Sequence, residues 1–237
     1  MADFVLVHGA WHGAWCWQRI VPGLWQAGHR AFTLDLTGLG ARAHETRPDV
    51  SVQDHVTDVV ALLEAEELNR VILVGHSYGG LIITGVAARC AQRLAHLVYL
   101  DAVVPRPGES WSSTHAPAVQ AARREQIARS GMIEPADPTV LGLLGADHAW
   151  VRRRQVPQPG RLYDDPLSFD PAAFAHVPRT FIDFTQPALG TIEASRQRVR
   201  REPGWNVEAI ATGHDGMISN APATLAALLR CAQRTAT

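Results

Sequence analysis

Apolar residues along this chain fall into two kinds of run that take turns. Short continuous blocks cover Phe4 to Val7, Arg30 to Leu36, Val71 to Val74, Leu94 to Leu100, Thr180 to Phe184 and Asn206 to Ala211. Blocks of this length without polar alternation read as strands covered on both faces. Between them the apolar spacing becomes helical. Trp17, Ile20, Val21, Leu24 and Trp25 predict a helix from Trp15 to Ala27, stopped by Gly28. Ser51 with Asp54 forms a capping-box pattern ahead of Val52, Val56, Val59 and Leu63, which mark one helix face. Leu81 to Ala88 reads as a small, apolar, buried helix. Further helices are expected near Ile192 to Arg200 and, with Pro222 in the first turn, around Leu225, Leu228 and Leu229. Strand and helix in alternation imply a mostly parallel sheet of about six strands with right-handed crossovers.

The alternation lapses from about residue 104 to 176. Prolines gather there, periodicity weakens, and helical fragments such as Ala118 to Ser130 stand isolated. The stretch is too long for a plain loop, so it is expected to be a helical cap inserted after the fourth strand. The chain then divides into a first core part (1–103), the cap (104–176) and a second core part (177–237). An insertion between two strand ends must lie over the carboxyl edge of the sheet. Its irregularly spaced apolar residues, Leu143, Leu144 and Trp150 among them, are expected to face a substrate pocket. The run Arg152-Arg153-Arg154 reads as a solvated helix face.

Composition narrows the function class. The 237 residues are 46% hydrophobic and 19% charged, with a formal net charge of -1, which suits a soluble globular protein. That balance gives no electrostatic case for nucleic acid or an anionic membrane. Cys16, Cys90 and Cys231 lie far apart without metal-like spacing and read as small core residues, so no metal is expected. No basic region with a long apolar stretch precedes the first strand, which makes the cytoplasm the expected location.

The strand at Val71 to Val74 runs into Gly75-His76-Ser77-Tyr78-Gly79, a G-x-S-x-G pattern. Here a buried strand turns sharply into a helix and presents the serine at the apex in a strained conformation. Ser77 is the expected nucleophile. A serine needs a base, usually a histidine oriented by a carboxylate. Of eleven histidines, His214 stands in a glycine-flanked loop after the last strand, where the carboxyl edge brings it near the serine. His76 is expected to be structural, beneath the turn, and His115, His148 and His176 to be surface or pocket residues of the cap. One oxyanion-binding N–H should come from Tyr78, after the nucleophile, and a second from the His8-Gly9-Ala10-Trp11 turn. Trp15 and Trp17 are assigned to the core, and Trp11 to the acyl pocket.

The stretches Phe4 to Trp15, Gly75 to Gly80 and Gly213 to Met217 resemble the α/β-hydrolase esterases. The nearest likeness is to bacterial pyrethroid and carbendazim hydrolases, with plant methylesterases and hydroxynitrile lyases further off. The resemblance runs nearly end to end and implies the α/β-hydrolase fold and a cofactor-free serine hydrolase. It implies Ala10 as the second oxyanion donor, with Trp11 the alternative. In the plant relatives the triad acid follows the strand after the cap, but Phe184-Thr185-Gln186-Pro187 offers no carboxylate there. Asp101 is the better candidate, since some α/β-hydrolases place the acid at that strand end; Asp183 and Glu193 are the alternatives. The expected substrate is an ester or carbamate of a moderately bulky, apolar small molecule, cleaved through an acyl-enzyme. A hydroxynitrile lyase activity and a non-catalytic small-molecule receptor are the competing readings. Against the lyase, no lysine follows His214.

Overall fold

A computed structural model describes residues 1–235. Its main sheet has six strands: Asp3–Val7 (β1), Arg30–Thr33 (β2), Val71–His76 (β3), Leu94–Leu100 (β4), Arg179–Phe184 (β7) and Trp205–Ile210 (β8). A separate two-stranded ladder pairs Met132–Ile133 (β5) with Gln158–Pro159 (β6). The six strands lie in the order β2-β1-β3-β4-β7-β8, and every pairing is parallel. Side chains alternate across the pleat, so each strand feeds two cores. Val5, Val7, Leu73, Tyr99 and Phe181 join the layer on one face; Phe4, Leu6, Ile72, Val74, Val98 and Ile182 join the other. Burial on both faces is why the central strands β1 and β3 carry unbroken apolar runs, while the edge strands β2 and β8 are partly exposed and mixed.

Helices Val52–Ala65 (α2) and Gly79–Cys90 (α3) cover the first face. The Ser51/Asp54 capping box is present at the start of α2. A Cβ on Gly85 would lie 2.5 Å from Val56, which shows how closely α2 and α3 approach. Ala221–Thr235 (α8) and Val21–Gln26 (α1) cover the second face. The helix expected from Trp15 to Ala27 is broken in two. A 3-10 turn at Ala14–Trp17 precedes α1, which begins with Pro22 in its first turn because proline has no N–H to continue a helix through. Strand β2 also ends at Thr33, short of Leu36. Beyond it the chain bonds elsewhere: Asp35 accepts from the Ala14 N–H (2.8 Å), and the Leu36 N–H donates to His8 Nε2 (3.1 Å).

Between β4 and β7 the chain makes a helical insertion that holds Pro117–Ser130 (α4) and Gly145–Arg152 (α5), several 3-10 turns and the β5–β6 ladder. Pro117 opens α4, and Gly131 closes it in the left-handed conformation at φ 72°. Arg152, Arg153 and Arg154 are exposed, with Arg152 paired to Asp137 at 3.2 Å. After β7 come Glu193–Arg201 (α6), β8 and the short helix Gly216–Ser219 (α7). Among the described residues no helix is long and apolar enough to cross a membrane.

Candidate active site

The register aligns the strand ends. His76 pairs with Leu100, Leu100 with Ile182, and Phe184 with Ile210, so the residues that follow leave the sheet at one edge. Ser77 is the first residue past β3 and sits at φ 54°. Its N–H donates to Leu100 O (3.3 Å), and its carbonyl accepts from Gly80 and Val103. Only glycine fits on either side: a Cβ on Gly75 would lie 2.5 Å from Gly79 O, and one on Gly79 would lie 2.8 Å from His8 O. The helix that follows, α3, directs its free N–H groups and positive end toward this turn.

Asp101 occupies the equivalent place after β4, also left-handed at φ 43°. Its N–H donates to Ile182 O at 2.7 Å. His214 arrives from the loop after β8 and is pinned twice. Its carbonyl accepts from His76 Nε2 (2.9 Å), and its Nδ1–H donates to Asp101 Oδ2 at 2.6 Å. That bond fixes the tautomer and leaves the Nε2 lone pair free. Both Asp101 and His214 are buried, while Ser77 is half-buried. The other carboxylates considered from sequence go elsewhere. Asp183 is held by Arg196 Nε at 2.6 Å and by Arg200, and Glu193 is half-exposed beside Arg196.

The His8–Trp11 turn lies against the serine, since a Cβ on Gly9 would come within 2.9 Å of Ser77 Cβ. Trp11, at φ 63°, has its amide N–H committed to Gln158 Oε1 (3.2 Å) and its indole N–H to Ile133 O (3.0 Å). Of the two candidates for the second oxyanion donor, Trp11 therefore has its N–H occupied by an acceptor of the protein. The Tyr78 hydroxyl donates to His55 Nδ1 (3.0 Å), which anchors that residue at the start of α3.

Three histidines brace the turn without touching the cavity. Burial pulls His8 down to about 3, so it stays neutral, accepting from Leu36 and donating to Gly9 O at 2.8 Å. Burial also holds His76 well below its ordinary range, aided by the neighbouring His214. His12 differs. Both of its nitrogens face acceptors, Ala10 O at 2.7 Å and Asp215 Oδ2 at 3.0 Å, so it needs two protons. Burial opposes that charge, but the Asp215 carboxylate outweighs it and the His12 pKa is raised. Sequence reasoning missed this tie between the first turn and the His214 loop. The carboxylate next to His214 was the only visible signal.

Ser77 and His214 share the wall of a cavity of about 90 Å³ with Trp11, Trp111, His115, Val119, Arg123, Val140, Leu141, Leu189, Thr191 and Ile192. Burial lowers His115 to about 4 beside the Arg123 charge. The expectation for Leu143, Leu144 and Trp150 is corrected, because none of them lines this cavity. Gly142, left-handed at φ 83° and packed on Gly213, turns the chain there. Leu141 faces the cavity, Leu143 enters the core on the second face, and Leu144 is 74% exposed. Trp150 instead packs edge-on against Trp15 at 5.1 Å. A larger hollow of about 550 Å³ lies at the opposite edge of the sheet, around Asp3, His29 and Arg70, and carries none of these groups.

The geometry can be set beside known proteins. The profile of the alpha/beta hydrolase family matches residues 4–228. A carbendazim hydrolyzing esterase from Nocardioides sp. (strain SG-4G) is 39% identical over 230 residues, covering 92% of this chain and 94% of its own. The probable esterase PIR7A of Oryza sativa subsp. indica is 31% identical over 250 residues, covering 95% and 94%. Among solved structures, an extracellular alpha/beta-hydrolase from a Paenibacillus species superposes with a TM-score of 0.85 at 21% identity, covering 97% of this chain and 98% of that one. A parallel sheet with a strained serine at the end of β3, matched from end to end by these relatives, means that the chain belongs to the alpha/beta hydrolase family.

Proposed function

We propose that this carboxylic ester hydrolase works through Ser77 as nucleophile, His214 as general base and acid, and Asp101 as the carboxylate that orients His214. The observation that carries the proposal is the 2.6 Å bond between His214 Nδ1 and Asp101, made by a histidine that lines the same cavity as Ser77. His214 Nε2 takes the Ser77 proton as the hydroxyl oxygen attacks the substrate carbonyl. The resulting oxyanion accepts from the backbone N–H groups of Ala10 and Tyr78, with the N-terminus of α3 adding its dipole. Collapse breaks the bond to the alcohol, which leaves with the proton from His214. Water, deprotonated by the same nitrogen, then cleaves the acyl-enzyme and restores Ser77.

The insertion, residues 104 to 176, acts as a cap over the two core parts, 1–103 and 177–237. It supplies Trp111, His115, Val119, Val140 and Leu141 to the cavity. A volume of about 90 Å³ is far below the roughly 300–1,000 Å³ of sites that enclose a drug-sized ligand. The enclosed portion therefore takes only the smaller part of an ester or carbamate, and the rest extends out of it. The named activity of the carbendazim hydrolyzing esterase supports including carbamates. A cytoplasmic location belongs to the same proposal and suits three cysteines that are all free and buried.

A fluorophosphonate should label Ser77 alone, and Ser77→Ala should lower kcat on p-nitrophenyl esters by about 10⁶ with the melting temperature unchanged. Retention of more than about a tenth of the activity rules the mechanism out. Labelling without turnover of any ester or carbamate in a graded series would point to a receptor instead.

A further inference from the structure

We infer that Arg196 is a positioning residue that acts through Asp101 to set the proton affinity of His214. The inference rests on the roles proposed above for Ser77, His214 and Asp101. Arg196 is carried on α6, away from the cavity, and is 3% exposed. Its guanidinium is fully engaged: Nη2 donates to Asp101 Oδ1 at 2.7 Å, Nε to Asp183 Oδ1 at 2.6 Å and Nη1 to Leu189 O at 2.7 Å. Asp101 thus gives one oxygen to His214 and the other to a cation that stays protonated at any working pH.

The two bonds compete for one negative charge. A buried carboxylate facing only an imidazole favours the imidazolium and makes a base that is protonated too early. A guanidinium on the far oxygen withdraws part of that field. Of the charged surroundings, Arg123 of α4 lines the same cavity as His214 and adds a fixed positive charge, and His115 there is kept neutral by burial. Asp101 and Asp183 face Arg196 and Arg200, which balances the cluster while His214 is neutral. Glu193 lies 3.7 Å from Arg196 but is half-exposed. On the other side of His214, the His76 ring stands 4.6 Å away and is kept neutral by burial, and Asp215 is paired with His12. Without Arg196 the far oxygen of Asp101 has no cation against it, and a proton on His214, which holds the near oxygen, is the closest charge that can take its place. The fork also fixes Asp101 from behind, so that Oδ2 stays turned toward His214.

Removing one partner of a buried ion cluster threatens the fold, so the charge must be withdrawn in pairs. The test compares Arg196→Lys with the double variant Arg196→Met/Asp183→Asn in the full-length protein. Two readouts are taken: the acid limb of kcat/KM on p-nitrophenyl acetate, and the NMR titration of ¹³C-labelled His214, identified by its loss in His214→Gln. In the double variant both midpoints should move upward together by about one pH unit, while the lysine variant, which keeps the charge, moves far less. If the double variant does not fold, Arg196→Gln/Asp183→Asn, which keeps a hydrogen-bond donor toward Asp101, carries the same expectation. A midpoint that stays put, moves down, or moves equally in Arg196→Lys overturns the inference, as does a loss of kcat uniform across pH. The NMR arm reads His214 without turnover, so a failure of the esterase reading would leave this result intact.

Discussion

Helices α3 and α4 are almost equal in length, 12 and 14 residues; α3 begins just past Ser77, and α4 gives Val119 and Arg123 to the cavity wall. In α3 ten residues are fully buried, including Leu81, Ile82, Ile83 and Val86; in α4 none is. The floor of the site is built from the strand ends and the start of α3, and its backbone is bent into three left-handed residues, Trp11, Ser77 and Asp101. Strain of this kind, of order 1–3 kcal/mol per residue, persists only where the surroundings over-determine it. The roof has no such demand. The cap is anchored by segments other than α4, with Ile133, Leu162 and Tyr163 buried in one core and Leu143 and Val151 in the other, while α4 itself is held by directed contacts such as the Arg123 guanidinium stacked 4.9 Å above the Trp11 ring. The difference separates two tasks. Chemistry needs a geometry that does not vary, and selection among substrates needs a wall that can.

The largest effect should come from the floor. Asp101→Asn leaves the volume unchanged but removes the charge that orients His214, and kcat should fall by about 10²–10⁴. An activity near that of the native protein would mean that the floor does not rely on this carboxylate. Next in size is the contrast between helices. Ile82→Ala on α3 should cost about 2–5 kcal/mol of unfolding free energy in urea, and Ile127→Ala on α4, half-buried, about 1 kcal/mol or less. Equal losses would erase the distinction between the buried α3 and the solvent-facing α4. The smallest effect is the most diagnostic. Val119 lies on α4 and lines the cavity. Val119→Ala should change the kcat/KM ratio between long and short acyl esters by about 1–3 kcal/mol at unchanged melting temperature. A uniform change across chain lengths would remove α4 from substrate choice.

The same division explains what could be read from sequence. Strands buried on both faces leave an unbroken apolar trace, and the Gly75–Gly79 pattern marks a turn whose geometry nothing but glycine tolerates. Asp101 was visible because it ends one of those strands. The cavity wall was not, since Leu141 and Leu143 look alike in the chain and are parted only by the left-handed Gly142 pressed on Gly213. Arg196 gave no local sign at all: the carboxylate it serves lies 95 residues earlier, and in the sequence it is one arginine in a charged helix. Contacts that depend on distant partners leave no periodicity.

The position of Asp101 bears on how such a protein could change over time. With the carboxylate at the end of β4, the loop between β7 and α6 has no side chain that the proposed chemistry requires. Yet Leu189, Thr191 and Ile192 of that loop border the cavity, and its one tie to Arg196 is the main-chain carbonyl of Leu189, which any residue supplies. Mutations at these three positions can therefore accumulate and be tried against new esters while the catalytic groups are inherited untouched. A lineage built this way has a stretch of active-site wall in which to drift.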